Sequence, residues 1–394
     1  MTPPAAAAQE PATAPYSLRD LVLYFLHLGT FGFGGPIALV GYMQRDLVDE
    51  RRWFSKQDYA EGLALAQLAP GPLAAQLAIY LGWLRGGSLG GTLVAIAFVL
   101  PSFLMVLMLS WLYLRYEGLT WMQGAFYGIG AAVIAIIGRS AYKLMRTTLA
   151  QDRLLWAIAI LSAIVTAWTE SEIAWLFLLA GVINLAAQLA SRRAATTASL
   201  VLMPLLTTGL HGPATEDVLW KITWYFAEAG AFVFGSGLAI VPFLHGGVVN
   251  EFGWLTERQF LDAVAVAMIT PGPVVITVAF IGYLVAGPVG AVLSALGVFL
   301  PCYLLVIVPA TYFRRSVGDP RVKAFVDGVT AAASGAIAGA GFVLGRRAVF
   351  DVPTALICLA TLAALTRLRG VPEPLIIVAA GVLGVVLSSL GLAA

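Results

Sequence analysis

Charge is scarce in this chain. Lysine and arginine together number 23, and aspartate and glutamate 21, among 394 residues. Charged residues thus make up 11% of the sequence, where soluble domains carry about 25%. So few charges cannot cover a water-facing surface. With 60% hydrophobic residues and a mean hydropathy of +0.89, the chain reads as an all-α polytopic membrane protein. A net charge of +2, with basic residues scattered among loops, excludes a nucleic-acid footprint. The three histidines and two cysteines show no metal-ligand spacing and no disulfide framework; Cys302 and Cys358 lie in apolar runs and are expected to be packing residues. No glycine loop followed by Lys-Ser or Lys-Thr is found, so ATP chemistry and other cofactors have no support. A nucleophile–base constellation is missing too, which counts against an intramembrane enzyme.

What the chain does have is glycine and proline, 41 and 20 residues, placed inside apolar runs. Ala69-Pro70-Gly71-Pro72 and Thr270-Pro271-Gly272-Pro273 are two copies of one motif. Proline removes a backbone donor and glycine frees the chain, so each motif predicts a break between helical pieces. At membrane depth such a break survives only where protein buries it or a cavity solvates it. The copies belong to a long internal repeat. At an offset of 201, Tyr24-Phe25 falls on Tyr225-Phe226, Gly29 on Gly230, Trp53 on Trp254 and Glu61 on Asp262. At an offset of 200, Gly82 falls on Gly282, Gly90 on Gly290 and Leu100-Pro101 on Leu300-Pro301. This divides the chain into a disordered tail over 1–16, a first repeat over 17–190, a linker over 191–218 and a second repeat over 219–394.

The first repeat reads as a broken segment over Leu18 to Met43, the proline-glycine segment over Asp58 to Leu84, and then Leu89 to Leu114, Trp121 to Met145, Leu154 to Trp168 and Ile173 to Leu189. If the proline-glycine segment crosses the membrane, the halves are parallel and loop lysines and arginines divide ten against twelve, which sets no orientation. If it turns back, the halves are inverted and the division is seventeen against five. The positive-inside rule selects the second arrangement: two inverted repeats, each of about five transmembrane helices plus a re-entrant or broken helical hairpin, with the basic side cytoplasmic.

Inverted repeats with discontinuous helices are the plan of many secondary transporters, whose half-helix ends meet substrate near the bilayer midplane. Two breaks per half fit it. Phe31-Gly32-Phe33-Gly34-Gly35-Pro36 is matched by Phe232-Val233-Phe234-Gly235-Ser236-Gly237, and the Pro-Gly-Pro motifs match each other. Pro36, Pro72 and Pro273 suit the first position of a new helix, whose free amides attract an anion. Gln76 and the matching Thr277, with Ser236 and Thr270, either complete an oxyanion site or bond to nearby carbonyls. Ionisable residues in apolar segments are functional candidates: Glu61, Asp262, Glu228 and His27 for protons, and Arg139 for an anion. Each has the alternative of pairing or snorkelling at an interface. Gly335 and Gly339, a small-xxx-small pair, read as helix packing.

These motifs, with the Trp53 to Tyr59 stretch, resemble the repeated domain of the chromate ion transporter family in its long, two-domain form. The resemblance covers nearly the whole chain beyond the tail. It implies oppositely oriented halves, a multi-pass place in the lipid bilayer of a bacterial cytoplasmic membrane, and expulsion of chromate that confers resistance. The second half departs from the pattern with Phe-Gly-Ser-Gly for Phe-Gly-Gly-Pro and Thr270 for Ala69, so unequal contributions from the halves are expected. The leading expectation is secondary export of a tetrahedral divalent oxyanion, chromate first. A carrier for sulfate, of the same charge and shape, is the alternative within transport, and an anion channel or intramembrane enzyme stands outside it. Oligomeric state, a homodimer included, is left open.

Overall fold

A computed structural model describes residues 14–33, 35–116, 120–149, 152–169, 179–184, 215–232, 240–316, 320–367, 371 and 373–390. Among these residues every regular element is helical, as an apolar chain in lipid requires when all its backbone groups must be satisfied internally. Helix α1 (Leu18–Phe31) starts at a capping box in which Ser17 and Asp20 satisfy each other's backbone amides. It stops at Gly32, and the chain restarts as α2 (Gly35–Met43), so the first break falls where the glycines place it. A π-helical turn over Gln44–Glu50 follows. Then come α3 (Lys56–Leu68), capped by Ser55, and α4 (Leu73–Tyr116). Helices α5 (Thr120–Leu149) and α6 (Arg153–Thr169) complete the described part of the first repeat, apart from a short helical piece at residues 179–184.

The second repeat has the same series: α7 (Glu216–Phe232), α8 (Ile240–His245) with a π-helical turn over Gly246–Glu251, α9 (Glu257–Ile269), α10 (Thr277–Ser316), α11 (Pro320–Ala348), α12 (Val352–Arg367) and α13 (Glu373–Ser389). Thr256 caps α9 at the position equivalent to Ser55. The tail expected over 1–16 is docked at its inner end: the Ala14 amide donates to the Arg52 carbonyl over 2.8 Å, and Tyr16 stacks on Trp53 at 5.1 Å. Residues 1–13 and most of the linker, 191–214, lie outside the described residues.

Neither α4 nor α10 is one rod. Gly86 and Gly87 leave helical geometry in α4, Gly87 at φ 61°, as do Ala286 and Gly287 in α10, Gly287 at φ 62°. The chain reverses at these points, because Gly82 lies against Gly90 and Val94, and Gly282 against Gly290 and Ser294. Each helix is therefore two antiparallel legs, with glycine at the closest approach. A second reversal occurs at Pro70-Gly71-Pro72: Gly62 of α3 lies against Leu77 and Tyr80 of the first leg of α4. The proline-glycine motif is the tip of a helical hairpin.

Among the described residues four helical stretches are long and apolar enough to cross a membrane, namely Leu73–Tyr116, Trp121–Arg139, Val274–Ala310 and Asp327–Arg346; Arg153–Trp168, Val352–Arg367 and Glu373–Ser389 are apolar but shorter. On the second leg of α4, Leu89, Leu93, Ile96, Leu100, Leu104, Met108 and Trp111 form an exposed stripe at helical spacing, repeated on α10 by Val289, Val292, Leu296, Leu300, Leu304 and Val308. Water would make these stripes costly and acyl chains do not. The chain is an all-α membrane protein.

The two repeats share their cores. Val106 and Tyr113 of α4 lie in the cluster built on the second repeat, while Val306 and Ala310 of α10 lie in that built on the first. Gly335 and Gly339 of α11 sit directly on the backbone of Ala159 and Ala163 in α6, which is the packing role expected of them.

Candidate functional site

Both proline-glycine tips lie in the interior, against the partner repeat. Gly71 has φ 129° and Gly272 φ 96°, values on the side of backbone space that glycine alone occupies readily. A Cβ on Gly71 would stand 2.7 Å from Cys302 Sγ, and one on Gly272 would stand 2.9 Å from Ser102 Oγ. Cys302 and Ser102 are equivalent positions, each directly after its Leu-Pro pair. Each tip is thus seated on the same position of the other repeat's long helix. The Gly272 amide also donates to the Gly32 carbonyl over 2.9 Å, tying the second tip to the first repeat's glycine break.

Ser102 was not singled out from sequence, and Cys302 was expected only as a packing residue, not at the site. Cys302 is fully buried, as a packing residue would be, yet it packs against the tip. The signal that could have found both is the Leu-Pro alignment at offset 200, one residue before them.

Pro72 and Pro273 stand one residue ahead of the positions expected for them. Pro72 precedes Leu73, the first residue of α4, and its carbonyl accepts the Gln76 amide over 3.0 Å. Pro273 caps a 3₁₀ turn over Val274–Ile276 that leads into α10. The amides immediately after each proline come before the first intrahelical bonds, so they face the tip as free donors with the positive end of the helix dipole behind them. Pro70, Pro271 and Pro36 lie in or beside these turns, Pro36 in the first turn of α2 beside Gly35. Gly34, Gly235, Ser236 and Gly237 lie outside the described residues.

The polar candidates divide. Gln76 is fully buried and its amide nitrogen donates to the Pro70 carbonyl inside the tip. Thr270 donates to the Val266 carbonyl over 2.7 Å and Thr277 to that of Val274 over 2.8 Å, so both hydroxyl protons serve their own helices. Asp262 is buried and accepts from Tyr113 over 2.8 Å across the repeats. Glu61 is partly exposed and accepts from Gln57 over 3.1 Å. Glu228 borders a cavity of about 300 Å³ with Lys221, Glu251 and Trp220. His27 is exposed and its ring lies 5.0 Å from that of Phe31. Arg139 pairs with Glu373 at 3.7 Å. Among the described residues no group of three or more His, Cys, Asp or Glu side chains could hold a metal ion.

Residues 19–185 and 220–385, the two repeats, each match the family described as Chromate transporter. A chromate transport protein of Cupriavidus metallidurans is 57% identical over 98% of this chain and 97% of its own. A probable chromate transport protein of Synechococcus elongatus is 56% identical over 94% of this chain and 96% of its own. One from Pseudomonas aeruginosa, also a chromate transport protein, is 34% identical over 88% of this chain and 86% of its own. No solved structure matches. With both repeats matched and relatives of this identity along nearly its whole length, the chain belongs to the chromate transporter family.

Proposed function

We propose that this protein is a secondary transporter that exports chromate across a bacterial cytoplasmic membrane, binding the oxyanion between the two proline-glycine tips. The observation that carries the proposal is the meeting of each tip with the partner repeat in the interior, with helix starts behind both. Relatives of known name carry chromate in theirs. Amides at helix starts hold an anion without a fixed counter-charge, so the site can bind and still release. Outward movement of an anion is favoured by an inside-negative potential, by about 2.3 kcal/mol per charge per 100 mV. Asp262, with Glu61 and Glu228, offers carboxylates for proton coupling.

Alternating access in such a protein would rest on inverted repeats, and the contacts support inversion. Helix α3 and the second leg of α4 both run against the first leg of α4, so they are parallel to each other. Along that second leg Ser102 meets Gly272 and, farther on, Tyr113 meets Asp262, which lies earlier in the second repeat. Helix α9 therefore runs opposite to that leg and to α3, its own counterpart. Single cysteines at Ser88 and Pro288, both exposed beside the reversals, are expected to label from opposite faces of the membrane. Labelling from one face would restore parallel halves. Pro288 serves better than its neighbour Ala286, which is buried.

Inverted membrane vesicles test the transport itself. Saturable accumulation of chromate is the expected result, and accumulation no greater than in vesicles lacking the protein would overturn the proposal. Currents without saturable counterflow would make it a channel.

A further inference from the structure

The first tip holds a polar atom that a fully ionised oxyanion cannot satisfy. Gln76 is 0% exposed, and its side-chain oxygen, Oε1, is buried without a hydrogen-bond partner. The orientation of the amide is set by its surroundings. Its nitrogen faces the Pro70 carbonyl, which can only accept. Turning the amide over would put two acceptors face to face and strand the donor, so Oε1 is the atom that points away from Pro70. The nitrogen also stands 2.7 Å from where a Cβ on Gly71 would be, which places the whole amide in the tip, one turn beyond the free amides at the start of α4. A buried acceptor left unpaired is costly and rare in native proteins. It is complemented by a ligand that brings a proton.

The geometry points to a protonated oxyanion, hydrogen chromate, as the species bound at the first tip, its O–H donating to Gln76 Oε1 while its charged oxygens take the first amides of α4. This inference rests on the transport reading above and narrows it. Chromate takes up its first proton close to neutral pH, whereas sulfate does so only in strong acid. A site with donors for the charge and one acceptor for the proton would therefore separate two anions that size and shape do not. A bare dianion would present a lone pair to Oε1, and both would stay desolvated without a bond. Thr277, the equivalent residue in the second repeat, gives its own proton to the Val274 carbonyl, so the tips present different faces. The proton would travel on the substrate, and one net charge would move with each chromium instead of two.

The test is competition against labelled chromate uptake at neutral pH, in inverted vesicles containing the full chain. Phosphate, which keeps at least one O–H at that pH, is expected to compete about 10- to 100-fold better than sulfate, the range for one hydrogen bond to a charged partner. Gln76→Met, which keeps the length and removes the acceptor, should bring that ratio close to one. Sulfate competing as well as phosphate against the parent protein, or an unchanged ratio in Gln76→Met, overturns the inference. Should Gln76→Met fail to reach the membrane, the parent protein decides by itself: two charges moved per chromium, or sulfate competing as well as phosphate, overturn the inference, and one charge together with the preference for phosphate supports it. A complete lack of chromate uptake would instead overturn the transport reading, and this inference with it.

Discussion

Gly71→Ala is expected to abolish chromate transport in vesicles that hold as much of the variant as of the parent protein. At φ 129° the residue occupies backbone space that alanine adopts only under strain, at a cost of about 1–3 kcal/mol. The added methyl would also stand 2.7 Å from both Cys302 Sγ and Gln76 Nε2. Overpacking of that kind costs a further amount of about 1–3 kcal/mol. Relief requires the tip to withdraw from the partner repeat or Gln76 to leave Pro70, and either movement takes apart the site. The loss is a local one, since α3 and both legs of α4 keep their own packing. Gly41→Ala, where a Cβ meets nothing within 4 Å, is the control. Parent-like transport by Gly71→Ala would reduce the motif to a packing turn.

Gly335→Leu should have the opposite profile, with the protein itself lost and no selective effect on transport. Its Cβ would run into the carbonyl of Ala159, and at Gly339 the same approach brings α11 onto Ala163. A backbone carbonyl cannot step aside as a side chain can, so α6 and α11 must part. Helix association in lipid lacks a hydrophobic drive and depends on such close contact. The expected cost is about 3 kcal/mol or more, read as a fall in thermal unfolding temperature in detergent and in the amount of protein in the membrane. An unfolding temperature equal to the parent's would show that α6 and α11 do not meet there.

The two variants separate what was legible in the chain from what was not. Gly335 and Gly339 could be read as packing residues from spacing alone, because small residues four apart mark a helix face wherever the partner lies. The break after Phe31, the caps at Ser55 and Thr256, and the hairpin at Pro70-Gly71-Pro72 are local events that capping and backbone sterics dictate. Arg139 was readable only as an ionisable residue in an apolar run. Its engagement by Glu373, 234 positions later in the chain, depends on how α5 and α13 pack.

The role of the tips is divided in the same way. Residue types and their recurrence at offsets of 201 and 200 establish two repeats, a break at each proline-glycine motif and an apolar chain for lipid. These follow from short-range rules: proline lacks an amide, glycine lacks a Cβ, and apolar runs partition out of water. That Gly71 seats on Cys302 and Gly272 on Ser102, and that Tyr113 reaches Asp262, are contacts between segments about 150 to 230 residues apart. No local preference encodes them, because they arise only when the two repeats bury each other's faces. Tertiary packing likewise decides that Gln76 is sealed from solvent with one amide atom satisfied and the other not. Sequence marks it as a polar residue one turn past a proline; burial makes it the acceptor on which the choice of anion is proposed to turn.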